Sequence, residues 1–138
     1  MGRPLYTERL FAVSKDNLYL GRSGEEAAVV LLKEKGYKIL IRNYKTRLGE
    51  IDIIARDKDT LAFIEVKTRQ SERFGLPQES VSITKQRQIS KAALVFLKEN
   101  DLLEKKARFD VVSVLYSKDK PQLDLIKNAF ELDSNFTY

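Results

Sequence analysis

The 138 residues carry 25 Lys plus Arg against 20 Asp plus Glu, a net charge of +5, with 43% hydrophobic residues and neither cysteine nor histidine. That is the length of one domain with enough apolar content for a real core. The missing residue types exclude disulfides, zinc–thiolate sites, cysteine nucleophiles and histidine general bases, leaving carboxylate, lysine, tyrosine and hydroxyl chemistry. The longest apolar run, residues 27–32, is too short for a membrane span or a signal-peptide core, so a cytoplasmic protein with no membrane attachment is expected. The basic excess favours polyanionic partners.

Residues 1–20 mix polar side chains with Leu5, Tyr6, Leu10 and Phe11 without a clear period and read as an N-terminal extension. Ser23 with Glu26 three residues later spells a capping box, which predicts a helix over residues 24–35 that stops at Gly36. Glu25 rides near the face that must bury against a sheet, because Ala28, Val29 and Leu32 follow at i+3, i+4 and i+7. It is either a surface carboxylate that stabilises the helix dipole or a group that reaches a site. Residues 38–45 read as a first strand.

Two further strand-like runs follow, residues 49–56 and 61–68, each apolar with a charged end. Alternation puts Glu50, Asp52 and Ile54 on one face and Ile51 and Ile53 on the other; Leu61, Phe63, Glu65 and Lys67 likewise share a face. If Asp57 and Thr60 close the polar turn between the runs, Ala55 meets Ala62 and Ile54 meets Phe63. The same register sets Asp52 opposite Glu65 and Glu50 opposite Lys67. Opposed carboxylates repel, so the pair is either solvated on the wet face of a hairpin or neutralised by a hard divalent cation such as Mg²⁺ or Mn²⁺. The apolar Ile54, Phe63 and Leu61 on the same face count against a uniformly wet surface.

Residues 69–82 form a long polar connection with Gly75 and Pro77, in which Arg69, Arg73 and Phe74 suit a phosphate backbone and a base or are simply solvated. Thr84 is the expected cap of a second helix whose stripe of Ile89, Ala92, Ala93, Phe96 and Leu97 is core. Lys85, one turn before Ile89, is positioned to point at a site or a phosphate; Arg87 and Lys91 face solvent. Residues 108–115 fit a largely buried strand and residues 122–126 a short edge strand. The tail, residues 128–138, is aromatic enough, with Phe130, Phe136 and Tyr138, to dock on the domain or on a second subunit.

Gly49-Glu50-Ile51-Asp52 followed by Phe63-Ile64-Glu65-Val66-Lys67 resembles the signature of the metal-dependent PD-(D/E)XK nuclease superfamily: an acidic residue, a gap and E-x-K. Ile51 stands where that superfamily has proline. More narrowly, the chain resembles the YraN-like family of uncharacterised bacterial proteins, similar to archaeal Holliday-junction resolvases. The matching stretches are Gly21-Arg22-Ser23-Gly24-Glu25-Glu26-Ala27-Ala28, Arg42-Asn43-Tyr44, residues 49–55 and 63–69, Phe74-Gly75, and Arg108-Phe109-Asp110-Val111-Val112. E-x-K alone is a weak motif; after G-E-I-D, with G-x-x-G-E-E opening the preceding helix, it is much stronger.

The resemblance implies an α/β, restriction-endonuclease-like α-β-β-β-α-β core, a mixed central sheet flanked by helices, over residues 21–127. It implies Mg²⁺ or Mn²⁺ held by Asp52, Glu65 and the Val66 carbonyl, with Glu25 completing the shell through water. Glu50 is either a further ligand or the partner of Lys67, and Lys67 orients the attacking water. The implied activity is endonucleolytic hydrolysis of DNA, branched or otherwise structured, with Arg69, Arg73, Lys85 and Arg87 as nucleic-acid contacts and a homodimer for cutting both strands. The alternatives are a non-catalytic nucleic-acid-binding or assembly module on the same fold, and an RNA-directed nuclease.

Overall fold

Five runs of alternating or continuous apolar residues pair into one sheet, and two amphipathic helices cover its faces. A computed structural model describes residues 17–69, 81–117 and 120–131, with side chains omitted at residues 17–22, 117 and 120. The elements are α1 (Asn17–Glu34), β1 (Lys38–Lys45), β2 (Glu50–Asp57), β3 (Thr60–Arg69), α2 (Ile83–Glu99), β4 (Lys106–Ser117) and β5 (Lys120–Phe130). Strand order in space follows the chain, β1-β2-β3-β4-β5. All neighbours are antiparallel except β3 and β4, whose parallel pairing needs the crossover that contains α2. This is the expected α-β-β-β-α-β order of a restriction-endonuclease-like core, extended by β5.

Each face of the sheet carries its own core. Ala28, Val29 and Leu32 of α1 pack on Ile53, Ala55, Ala62 and Ile64. Ile89, Ala92, Ala93, Phe96 and Leu97 of α2 pack on Ile54, Leu61, Phe63 and Phe109, as the apolar stripe predicts. Gly36 ends α1 with φ 93, a left-handed turn that also lets the Tyr37 N–H reach the Leu32 carbonyl at 2.9 Å.

Both helix starts differ from expectation. α1 begins at Asn17, so it crosses the boundary set at residue 20, and Ser23 lies inside it rather than capping it. There the Ser23 hydroxyl accepts from the Tyr116 hydroxyl of β4 at 2.8 Å, a tertiary contact that local sequence could not announce. Ser82, not Thr84, caps α2: its backbone is extended and its side chain accepts the Lys85 N–H at 3.1 Å. β5 runs to Phe130, past the boundary set at residue 127, and stacks the Phe130 ring on Phe109 at 4.9 Å. The expectations for Arg73, Phe74, Phe136 and Tyr138 fall outside the described residues. Among the described residues, no helix is long and apolar enough to cross a membrane.

At the turn end of β2 and β3, charges are buried and fully paired. Asp110 of β4, with no exposed surface, accepts from the Tyr37 hydroxyl at 2.9 Å, the Arg108 Nε at 3.0 Å and the Asn128 N–H at 2.9 Å. Arg108 also donates to Asp57 at 2.7 Å, and this bond holds the Asp57 carboxyl below its usual range. The Asn128 contact pins an irregularity in β5, where φ is 54 and the register against β4 shifts. Removing the cation would strand a buried carboxylate. Arg108→Leu should therefore lower stability in urea by roughly 3–5 kcal/mol, whereas Lys106→Ala, which removes the exposed pair with Asp59, should change it by less than about 1 kcal/mol.

Candidate functional site

The opposite end of the same strands behaves differently. The β2–β3 ladder runs from Asp57 opposite Thr60 to Ile53 opposite Ile64 and goes no further. The predicted register holds over that stretch; the expected oppositions of Asp52 with Glu65 and of Glu50 with Lys67 lie beyond it and do not form. Glu50 is instead exposed and pairs in register with Lys45 of β1. The reason is a break in side-chain alternation. Ile51 and Ile54, three residues apart, both join the α2-side core, whereas Ile53 joins the α1-side core. The same break occurs in β1, where Ile41 and Tyr44 face α2 together, opposite Ile54 and Ile51 respectively. Between those residues lies Asn43, with φ 56. Ile51 thus leaves the face predicted for it.

The break turns Asp52 out of the ladder, and its carboxylate takes a backbone donor from β3. The Val66 N–H donates to Asp52 Oδ2 at 2.8 Å. Glu65, only 5% exposed, lies beside it, with Oε1 buried and lacking a hydrogen-bond partner. The Lys67 and Lys85 ammonium groups stand 3.9 and 4.0 Å from Glu65 Oε2. Glu25 feels the Asp52 charge from α1; it is pushed up by burial first and by Asp52 second, and is drawn down by Arg42 and by a hydrogen bond from the Asn43 side chain. Among the described residues, no group of three or more acidic side chains could hold a metal ion by itself.

Two glycines set these distances. A Cβ on Gly24 would run into Thr68 Oγ1 of β3, and a Cβ on Gly49 into the Gln88 carbonyl of α2. Gly24 therefore lets α1 lie close on the sheet beside Glu25, and Gly49 seats the hairpin on the helix that carries Lys85, three residues before Gln88. A side-chain hydroxyl can move aside and a helical carbonyl cannot. Gly49→Ala should destabilise by roughly 1–3 kcal/mol. Much of any loss from Gly24→Ala should return when Thr68→Ala is added, a coupling that a double-mutant cycle in urea reads directly.

The family model described as "Uncharacterised protein family UPF0102" matches residues 24–114. The chain belongs to that family. A UPF0102 protein of Geobacter metallireducens is 52% identical over 120 residues, covering 87% of this chain and 98% of the relative. One of Caldicellulosiruptor saccharolyticus is 49% identical over 113 residues, covering 80% and 96%. A solved structure, "Crystal structure of SSO0001", aligns with a TM-score of 0.40 at 19% identity over 94% of this chain and 62% of that one.

In this UPF0102 protein, Asp52, Glu65, Lys67 and Lys85 come together, Glu25 approaches from the α1 side, and the Val66 backbone is engaged through its N–H. Arg69 ends β3 half-buried, and Arg87 is exposed on α2. Arg42 reaches α1 by donating to Glu26 at 3.0 Å, beside Asn43 with its left-handed φ of 56, and sequence reasoning gave neither a role. An asparagine inside a strand was the available signal, since Asn is depleted in strands and tolerates positive φ.

Burial and the nearby Asp52 charge push Glu65 up to about 8, and Lys85 and Lys67 offset only part of that rise. Burial also raises Asp52, against the pull of the Val66 amide. The pair thus holds a proton more readily than two separate exposed carboxyls would. A folded state that holds a proton more tightly than the unfolded chain is most stabilised below the ordinary carboxylate range, and that contribution is lost as pH rises toward 8. Glu65→Gln should flatten this fall in chelator-treated protein and raise stability at pH 8 by on the order of 2–4 kcal/mol, measured by urea unfolding across the pH range.

Proposed function

We propose that this protein is a Mg²⁺- or Mn²⁺-dependent endonuclease that hydrolyses phosphodiester bonds in DNA, with branched or otherwise structured DNA as the substrate. The observation that carries this reading is the incompletely satisfied acid pair. A buried carboxylate oxygen without a protein partner, next to a second carboxylate and two lysines, suits a cation that prefers oxygen donors. The donor set fits: Asp52 and Glu65 offer hard oxygens, and a Mg²⁺ ion that keeps several waters needs no third protein carboxylate in direct contact. Glu25, across from Asp52, suits a bond to such a water, and the Val66 carbonyl is the remaining protein donor.

The bound ion would stabilise charge on the phosphoryl oxygens and lower the pKa of a bound water. The chain's own residues do the rest. Asp52, fixed by the Val66 N–H, and Glu65, fixed by burial, orient the acidic pair. Lys67, 3.9 Å from Glu65 Oε2, holds the attacking water beside the phosphorus. Lys85 meets a non-bridging phosphate oxygen. Arg69 and Arg87, with Arg73 of the connecting segment as the sequence suggests, contact the backbone of the nucleic acid. One chain offers one such site, so cutting both strands of a junction takes a homodimer.

A cleavage screen over duplex, single-stranded, flap and four-way DNA, alongside RNA, tests the reading. Cutting of branched DNA that needs Mn²⁺ or Mg²⁺ is the expected result, and preferential cutting of RNA would replace the substrate. Asp52→Asn and Glu65→Gln should abolish cutting, and Lys67→Ala should slow it by about 10²–10⁴-fold. Asp52→Asn should leave metal-free melting unchanged or slightly raised, yet remove the rise in melting temperature that millimolar Mn²⁺ gives the parent. A parent whose melting ignores Mn²⁺ beside a chelator control would sink the proposal.

A further inference from the structure

The β1–β2 turn stands at the same end of the sheet as the acid pair, and the cation-site reading gives it no part. Thr46 pins this turn from within: its hydroxyl accepts the Leu48 and Gly49 N–H groups at 3.0 and 3.1 Å, and its own N–H and hydroxyl both donate to the Gly49 carbonyl at 2.9 Å. Gly49 in turn seats against the Gln88 carbonyl of α2. The apex is therefore fixed, and its two side chains, Arg47 and Leu48, are both exposed, Leu48 by 52%. Among the described residues, none forms an ion pair with Arg47. Beside the apex a groove of about 510 Å³ opens between the turn and α2, with Lys45 and Arg47 as its cations. Its acid, Glu99, accepts the Tyr44 hydroxyl at 3.4 Å. A lone exposed leucine is ordinary. What sets Leu48 apart is a rigid mount, an adjoining cation and a basic groove at the end of the sheet where the carboxylates meet.

We propose that Leu48 is a wedge that enters the branch point of DNA, with Arg47 and Lys45 on the flanking phosphates, and so makes the site selective for branched over continuous duplex. The inference rests on the proposed cleavage of branched DNA, whose substrate class it explains. Leu48 lies four residues before Asp52, so the two Cα atoms are no more than about 14 Å apart. Duplex DNA rises about 3.4 Å per base pair, which makes that span about four base-pair steps. Inserting an apolar side chain into continuous duplex means unstacking a base step, a cost that a branch point, where stacking is already interrupted, does not carry. The discrimination thus comes from the DNA, and the protein has only to supply aliphatic reach on a mount that loses little order on binding. The positive rim suits a phosphate backbone better than an apolar protein surface. Lys45 faces Glu50 in register, so Arg47 carries the larger share of that attraction.

Binding measured in chelator separates recognition from cleavage. The probes are a four-way DNA junction and a linear duplex of one of its arms, each carrying 2-aminopurine, which brightens when it unstacks; in the junction it sits beside the branch point. The parent should bind the junction about 10-fold or more tightly than the duplex and brighten the junction's probe. Leu48→Ala should melt with the parent, yet lose most of that preference and the brightening. Leu48→Met, which keeps the aliphatic reach, should retain both. Arg47→Ala should weaken junction and duplex alike and lower the slope of log affinity against log salt by about 1. A Leu48→Ala variant with the parent's preference and signal overturns the proposal, and if it also cuts branched DNA as the parent does, the nuclease reading stands without the wedge. A parent that binds neither DNA overturns it as well and leaves the apex to a protein partner. If Mn²⁺ neither raises melting nor supports cutting, while Leu48→Ala still erases the preference in chelator, the cation site falls and the wedge stands.

Discussion

Two carboxylates held beside each other at the end of an apolar sheet are the constraint around which this molecule is arranged. Like charges in a partly desolvated place repel more strongly than in water, and burial alone already disfavours ionising Glu65. The answers visible in the structure are incomplete: one backbone N–H on Asp52, two lysines just beyond hydrogen-bonding distance of Glu65, and one carboxylate oxygen with no partner. A site tuned only for stability would have closed this account with an arginine in direct contact.

The other end of the sheet does so. Asp110 is more deeply buried than Glu65, yet every donor it needs is present, and Arg108 joins it to Asp57 and Tyr37 in one network. The sheet thus carries a satisfied acid cluster at one end and an incompletely satisfied one at the other. The first ties β5 and the chain after α1 to the sheet. The second keeps one carboxylate oxygen, Glu65 Oε1, without a hydrogen-bond partner. Perturbed groups of the second kind mark functional sites, because structural ion pairs are normally complete.

Convergence on the acidic end depends on backbone proximity more than on side-chain reach. Gly24 and Gly49 each stand one residue before an acidic residue; a Cβ at Gly49 would meet the fixed Gln88 carbonyl, and one at Gly24 the movable Thr68 hydroxyl. Asn43 adds the reversal that frees Asp52 from the ladder. Strand, hairpin and helix are thereby locked at distances set by main chain, a firmer mount than a loop provides.

Much of this was legible in the residues. The period-two runs and the short turn at Lys58-Asp59 set the hairpin register from Asp57–Thr60 to Ile53–Ile64, because both faces of the central strands must be buried and a slip of one residue would invert them. The apolar stripe of α2 and the glycine stop of α1 were equally local signals. The meeting of acid and lysine at one strand end also followed from spacing along β3. What only the tertiary structure decided was the geometry within that meeting. The loss of alternation at Asp52 runs in step with that of β1 at Asn43, α1 runs on through the capping signal at Ser23, and α2 takes Ser82 rather than Thr84 as its cap. Periodicity describes one element at a time and is blind to how closely another element passes, as the Thr68 side chain does at Gly24 and the Gln88 backbone at Gly49.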